Sequence, residues 1–149
     1  MLNNAVLLIE DDPHHAKLTR QALRQFSDVE IVLAKSGDEA VQKLDEGLDP
    51  VLILLDLKLP GTSGLEILTA IRGSAELRHI PAVFLTTSLE PADLRAAYNA
   101  GANGYVSKPV RFSEFRKAVE AIAVYWLGFN ELPRDAAFGR RNRMSLRDS

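Results

Sequence analysis

The chain has no cysteine, which excludes a disulfide framework, a thiolate metal site and a cysteine nucleophile together. It also lacks any long apolar run. The longest, Ala121 to Leu127, is seven residues, and the amino-terminal run AVLLI is five with no basic residue before it. A membrane-spanning helix needs about 20 such residues and a signal peptide needs a basic flank, so neither is expected, and a cysteine-free chain of this kind fits a cytoplasmic location. Positive charge is scarce on the body. Residues 1–128 carry 13 Lys and Arg against 17 Asp and Glu, while residues 129–149 carry five Arg against three acids. The body offers no electrostatic footprint for nucleic acid, and the Arg-rich end reads as a solvated terminus. Finally, EDDPHH follows the first apolar run where a nucleotide-binding chain would place a glycine-rich turn, which argues against a dinucleotide or flavin site.

What is present is an alternation. At 149 residues, 46% hydrophobic and 26% charged, the chain suits one domain with a real core. Runs at 5–10, 29–34, 51–56, 82–87 and 104–108 read as strands, three of them apolar enough to be buried on both faces. Between and after them lie helical repeats: Leu18, Ala22, Phe26; Val41, Leu44, Leu48; Leu65, Leu68, Ile71; Leu94, Ala97, Tyr98; and Phe112, Phe115, Val119, Ile122, Trp126. Pro13 and Pro91 suit first-turn positions, Ser36 with Glu39 reads as a capping box, and Gly101 as a helix stop. Five strands alternating with five helices predict an α/β fold, a flavodoxin-like (βα)5 doubly wound parallel sheet of order 2-1-3-4-5, with an extended fifth helix and a tail. Its ligand crevice would lie outside the carboxyl ends of the first and third strands.

That rule selects chemistry. The stretch VLILLD ends on Asp56, and a carboxylate carried into an apolar interior without a partner costs several kcal/mol, roughly, or is neutralised. Placed at the crevice, Asp56 would meet Glu10, Asp11 and Asp12 from the first strand, Thr86 and Thr87 from the fourth and Lys108 from the fifth. Clustered carboxylates repel one another unless a cation compensates, and Mg2+, with its preference for oxygen ligands, water and phosphate, suits the set. Lys108 supplies a point charge and Thr86 a hydroxyl donor for a phosphoryl oxygen. The constellation describes phosphoryl transfer by positioning and charge neutralisation.

IEDDP at 9–13, LLDLKLPGTSGLE at 54–66, FLTTS at 84–88 and GANGYVSKPV at 101–110 resemble, in order, the signatures of the response-regulator receiver domain of two-component signalling. The resemblance covers residues 4–127. It implies that Asp56 is the phosphoacceptor for a phosphohistidine on a sensor histidine kinase. It also implies that Asp11, Asp56 and the Lys58 backbone carbonyl bind Mg2+, with Glu10 acting through water. Thr86, the Thr87 backbone N–H and Lys108 would hold the phosphoryl oxygens, Thr86 and Tyr105 would form the switch, and Pro109 would be cis. Lys58 and Ser88 fall where this family tunes acyl-phosphate hydrolysis, and a lysine there predicts slow loss of phosphate. Adjacent His14 and His15 point about 100° apart on a helix and chelate one ion poorly, so they are read as surface or helix-start residues near the site rim.

Residues 128–149 are too short for an output domain, so a separate downstream protein is expected. The long fifth helix with Tyr125, Trp126, Leu127 and Phe129 is most similar to the phytochrome-associated subgroup, and its apolar excess points to a homodimer. Chemotaxis-like and phosphorelay receivers are the alternatives. A Mg2+-dependent aspartyl-phosphate phosphatase of the haloacid dehalogenase type would want an acid two residues after the nucleophile, where Lys58 stands. The resemblance therefore implies a signalling phosphoacceptor rather than an enzyme acting on a separate substrate.

Overall fold

The computed structural model describes residues 5–133. The Arg-rich end, residues 134–149, lies outside them. Five parallel strands, β1 (Ala5–Ile9), β2 (Glu30–Ala34), β3 (Leu52–Leu55), β4 (Ala82–Thr86) and β5 (Gly104–Ser107), pair in the order β2-β1-β3-β4-β5. Helices α1 (Pro13–Phe26), α2 (Gly37–Asp45), α3 (Gly64–Arg72), α4 (Pro91–Asn99) and α5 (Phe112–Ile122) alternate with them. The expected topology is the one found.

Side chains alternate across the strands, so the sheet divides the apolar residues into two cores. Val6, Leu8, Leu52, Leu54, Val83 and Leu85 face α1 and α5. Leu7, Ile9, Ile53, Leu55, Ala82 and Phe84 face the layer that holds α2, α3 and α4. β1, β3 and β4 are buried throughout, as their unbroken apolar runs require of strands covered on both faces.

Most strands stop one residue before the functional group they carry. Glu10, Asp56 and Lys108 lie just past β1, β3 and β5, yet their backbones remain anchored: Glu10 N–H donates to Ala34 O (2.9 Å), Asp56 N–H to Ile9 O (3.1 Å) and Lys108 N–H to Thr86 O (2.7 Å). The sheet thus fixes each base of the side chain while the polar end leaves the ladder. Gly64 begins α3 against the same edge; a Cβ there would collide with the Asp56 carbonyl oxygen and press on Phe84. Only glycine lets α3 start that close to Asp56. Gly101, at φ +103°, closes α4 as expected, with Arg72 donating to its carbonyl at 2.9 Å.

Several local expectations are corrected. No peptide bond among the described residues is cis, so Pro109 follows a trans bond. Trans is the lower-energy isomer before proline by about 0.5–1 kcal/mol, and Lys108 reaches its partners without the cis form. The Ser36 hydroxyl accepts from Glu39 N–H, but the complete reciprocal box forms at Ser63 and Glu66. In α4 only Ala97 is buried, while Leu94 and Tyr98 are exposed. Phe112 is exposed as well. The extension of α5 is present but changes hand-over pattern: Ala123–Phe129 continues as a π-helix. That wider turn keeps Ala123 buried and Trp126 and Leu127 packed on the first core, leaving Val124, Tyr125 and Phe129 outside.

Candidate functional site

The carboxyl edge of β1, β3 and β5 gathers one cation among acids. The Lys108 ammonium donates to Glu10 Oε1 at 2.5 Å and to Asp56 Oδ2 at 3.0 Å, and lies 3.0 Å from His15 Nδ1. Glu10 is 3% exposed and Lys108 9%, so this pair is shielded from solvent, while Asp56 opens partly to it. Burial raises the Glu10 carboxyl above its ordinary range; Lys108 opposes the shift, and the Asp56 charge adds to it. A buried acid held this way is short of positive charge.

Ligand atoms of Glu10, Asp11 and Asp56 lie within 4.8 Å of one another. The set is all carboxylate oxygen, graded from buried Glu10 to exposed Asp11, which fits a hard divalent cation that keeps water ligands. Asp12, expected to join the acids, instead caps α1: its Oδ1 accepts from His14 N–H (2.8 Å) and His15 N–H (3.2 Å). Those bonds, the His15 N–H foremost, hold the Asp12 carboxyl below its ordinary range.

Thr86 is buried at the end of β4, and its Oγ1 accepts from Ser88 N–H at 3.4 Å. Thr87 is exposed on the same edge. Lys58 N–H donates to Asp56 Oδ1 at 3.4 Å, and its side chain turns outward, with Nζ 3.9 Å from Asp93 Oδ2. Asp93 also accepts from the Ser88 hydroxyl at 2.6 Å. Tyr105 is half-buried against Phe84, ring centroids 6.2 Å apart, and its hydroxyl donates to Ser88 O at 2.9 Å. The β4–α4 connection therefore touches Tyr105 on one side and, through Asp93, Lys58 on the other.

Of the sequence-selected residues, Glu10, Asp11, Asp56 and Lys108 are brought together, Thr86 ends the neighbouring strand with Thr87 just after it, Asp12 turns to the α1 cap, and Tyr105 lies further back on β5. Two participants were not selected. His15 reaches Lys108 across 93 residues of sequence, and nothing in a local pattern marks that contact beyond its place in the third helical position after β1. Asp93 joins Lys58 to Ser88, and its only local mark was an acid in the first turn of α4.

Comparison with known proteins agrees with this geometry. Residues 6–120 match the response regulator receiver domain. The chain is 40% identical over 134 residues to the probable methanogenesis regulatory protein FilR2 of Methanothrix harundinacea, covering 86% of each. Among solved structures, the phosphorylated cyanobacterial phytochrome response regulator RcpA superposes with a TM-score of 0.83 at 32% identity, covering 88% of this chain and 99% of RcpA. The Mn2+-bound response regulator Rcp1 gives 0.80 at 33%, covering 87% and 99%. The bacteriophytochrome response regulator AtBRR gives 0.68 at 42%, covering 88% and 100%.

Proposed function

Because the chain belongs to the response regulator receiver domain family, a signalling family whose partner is a sensor kinase, we propose that Asp56 is its phosphoacceptor. The observation that carries this reading is the grip on Asp56: its carboxylate stands at the open end of β3, 3.0 Å from the Lys108 ammonium and within the Glu10–Asp11 acid cluster. A carboxylate oxygen of Asp56 attacks phosphorus of a kinase phosphohistidine. The P–N bond breaks, its electron pair stays on the imidazole nitrogen, and an acyl phosphate forms. Lys108 follows the charge onto a phosphoryl oxygen, with the Thr86 hydroxyl and Thr87 N–H as further donors. Asp11, Asp56 and the Lys58 carbonyl, with Glu10 through water, would hold Mg2+, which would supply neutralising charge there.

The receiver comprises residues 4–127, with residues 128–149 as a tail. Residue 4 and most of that tail lie outside the described residues. When Thr86 turns toward the phosphoryl group, the space beside Phe84 favours a deeper Tyr105, and the face made by α4, β5 and α5 changes for a downstream protein. The likeness to RcpA and AtBRR supports a phytochrome-type histidine kinase as donor. The likeness to FilR2 favours a kinase of another stimulus as the second reading. Val124, Tyr125 and Phe129 on the π-helical segment are 48%, 51% and 72% exposed, which supports a homodimer through that face; a monomer mass by light scattering at micromolar concentration would overturn it.

Incubation with acetyl phosphate and Mg2+ is expected to add one phosphoryl group, read by intact mass, and Asp56→Asn to abolish the gain. An unlabelled wild type, or equal labelling of the variant, refutes the proposal. Transfer from a light-regulated histidine kinase, against one that is not, separates the two partner readings.

A further inference from the structure

Among the described residues, His15 is the one hydrogen-bond partner of the Lys108 ammonium that is not a carboxylate. An ammonium has three N–H donors and no lone pair, and the three partners of Lys108 are Glu10 Oε1, Asp56 Oδ2 and His15 Nδ1. In this contact Nδ1 is the acceptor, which is the role of the tautomer with its N–H on Nε2. The ring is placed by the start of α1: Asp12 caps the His15 backbone N–H, and the Thr19 hydroxyl donates to the His15 carbonyl at 2.8 Å. The charged groups facing it are Lys108 and, at 3.9 Å, the Asp12 carboxylate. His14 lies on another face, its ring centroid 6.3 Å away.

We propose that His15 is a positioning residue for Lys108, the acceptor that keeps its ammonium beside Asp56 when a divalent cation occupies the carboxylates. The inference rests on the phosphoacceptor reading. Glu10 and Asp56 both belong to the acid cluster, so a cation bound there competes with Lys108 for the same oxygens. Coulombic attraction between Lys108 and these acids weakens as the cation neutralises them. The His15 contact involves no carboxylate and survives that exchange. One N–H of Lys108 stays on His15, and the other two are released toward the place where phosphoryl oxygens arrive. Without His15, a flexible four-carbon stem must be ordered in the transition state itself.

The test uses the full chain, acetyl phosphate and saturating Mg2+, with intact-mass time courses. His15→Leu, which fills the space without an acceptor, is expected to lower the limiting rate of Asp56 phosphorylation about tenfold, the scale of one hydrogen bond to a charged group. The acetyl phosphate concentration at half-maximal rate is expected to move less than the rate. His15→Asn places an amide oxygen near the position of Nδ1 and is expected to recover most of the loss. Wild-type rates in His15→Leu overturn the inference while leaving the phosphoacceptor reading intact. Equal slowing in the Leu and Asn variants overturns the acceptor role. A wild type that gains no phosphoryl group overturns the phosphoacceptor reading and this inference with it. Should His15→Leu fail to fold by thermal melting, His15→Ala carries the same comparison.

Discussion

The β1–β3 side of the sheet and the β4–β5 side are held to different standards. On the first, β1 and β3 are buried at every residue, and α3 buries Gly64, Ile67, Leu68 and Ile71 behind a complete capping box. Its acids Glu10 and Asp56 are both held within 3.0 Å by Lys108, which reaches over from the end of β5. On the second, β5 is half-buried along its whole length, and α4 buries Ala97 alone and has no side-chain cap. The acid cluster of Glu10, Asp11 and Asp56 sits on the first side, and Tyr105 with its Ser88 contact on the second. Rigid placement suits phosphoryl transfer, whereas a face with little buried area can exchange packings for a small free-energy change. One new group on Asp56 can then bias the loose side without disturbing the tight one.

The largest effect should follow removal of Lys108, the one buried cation among the described residues, which reaches from the end of β5 to the acids of the first side. Lys108→Ala leaves Glu10 and Asp56 facing each other, and breaking a buried pair costs about 3 kcal/mol. Urea unfolding of the metal-free protein near neutral pH should show it, with saturating Mg2+ restoring part, because the ion replaces the lost charge. Glu10 gives this a pH signature. Its folded pKa lies above the ordinary 4.5, so its favourable contribution is complete below 4.5 and is lost as pH rises through the raised value. Urea midpoints measured from pH 4.5 toward neutrality should therefore fall less steeply in Glu10→Gln. A Lys108→Ala protein as stable as wild type without metal would mean the cluster is solvated after all.

Packing should separate the two sides next. Leu68 in α3 is fully buried and Leu94 in α4 is 41% exposed. Leu68→Ala is expected to cost about 3 kcal/mol and Leu94→Ala under about 0.5 kcal/mol. Equal costs would show that α4 is packed as firmly as α3. Amide exchange at residues 91–99 should correspondingly outpace that at residues 64–72.

Much of this was legible in the chain before any coordinates. Apolar runs ending in Glu10 and Asp56 declare both the parallel sheet and its candidate edge, because burial on both faces permits a charge only where the strand stops. The α4 markers misled, since Leu94 and Tyr98 keep a helical period although neither meets the core; period reports a face but not what covers it. The π-helical segment was hidden because a single apolar run, Ala121 to Leu127, satisfies either helical geometry. His15 was missed for a related reason. Adjacent histidines were weighed as a chelating pair and set aside, while the contact that matters joins α1 to the end of β5. Long-range pairs between a helix start and a strand end leave no local trace.

The smallest stability effect is expected at Lys58, and there the functional effect carries the information. Its Nζ is 3.9 Å from Asp93, and its side chain is 74% exposed, so Lys58→Ala should change stability by no more than about 0.5 kcal/mol. Asp93 nevertheless divides its attraction between Lys58 and the Ser88 hydroxyl, and so links the residues that follow Asp56 and Thr86. With the acyl phosphate formed, Lys58 can leave Asp93 for a phosphoryl oxygen and obstruct the attacking water. Lys58→Ala should then shorten the phosphoryl lifetime. Asp93→Asn keeps an acceptor for Ser88 but drops the charge that draws Lys58 away, and should lengthen it. Time courses of mass loss after removal of acetyl phosphate give both signs in one experiment, and two variants that move the lifetime in the same direction would show that Asp93 does not govern where Lys58 goes.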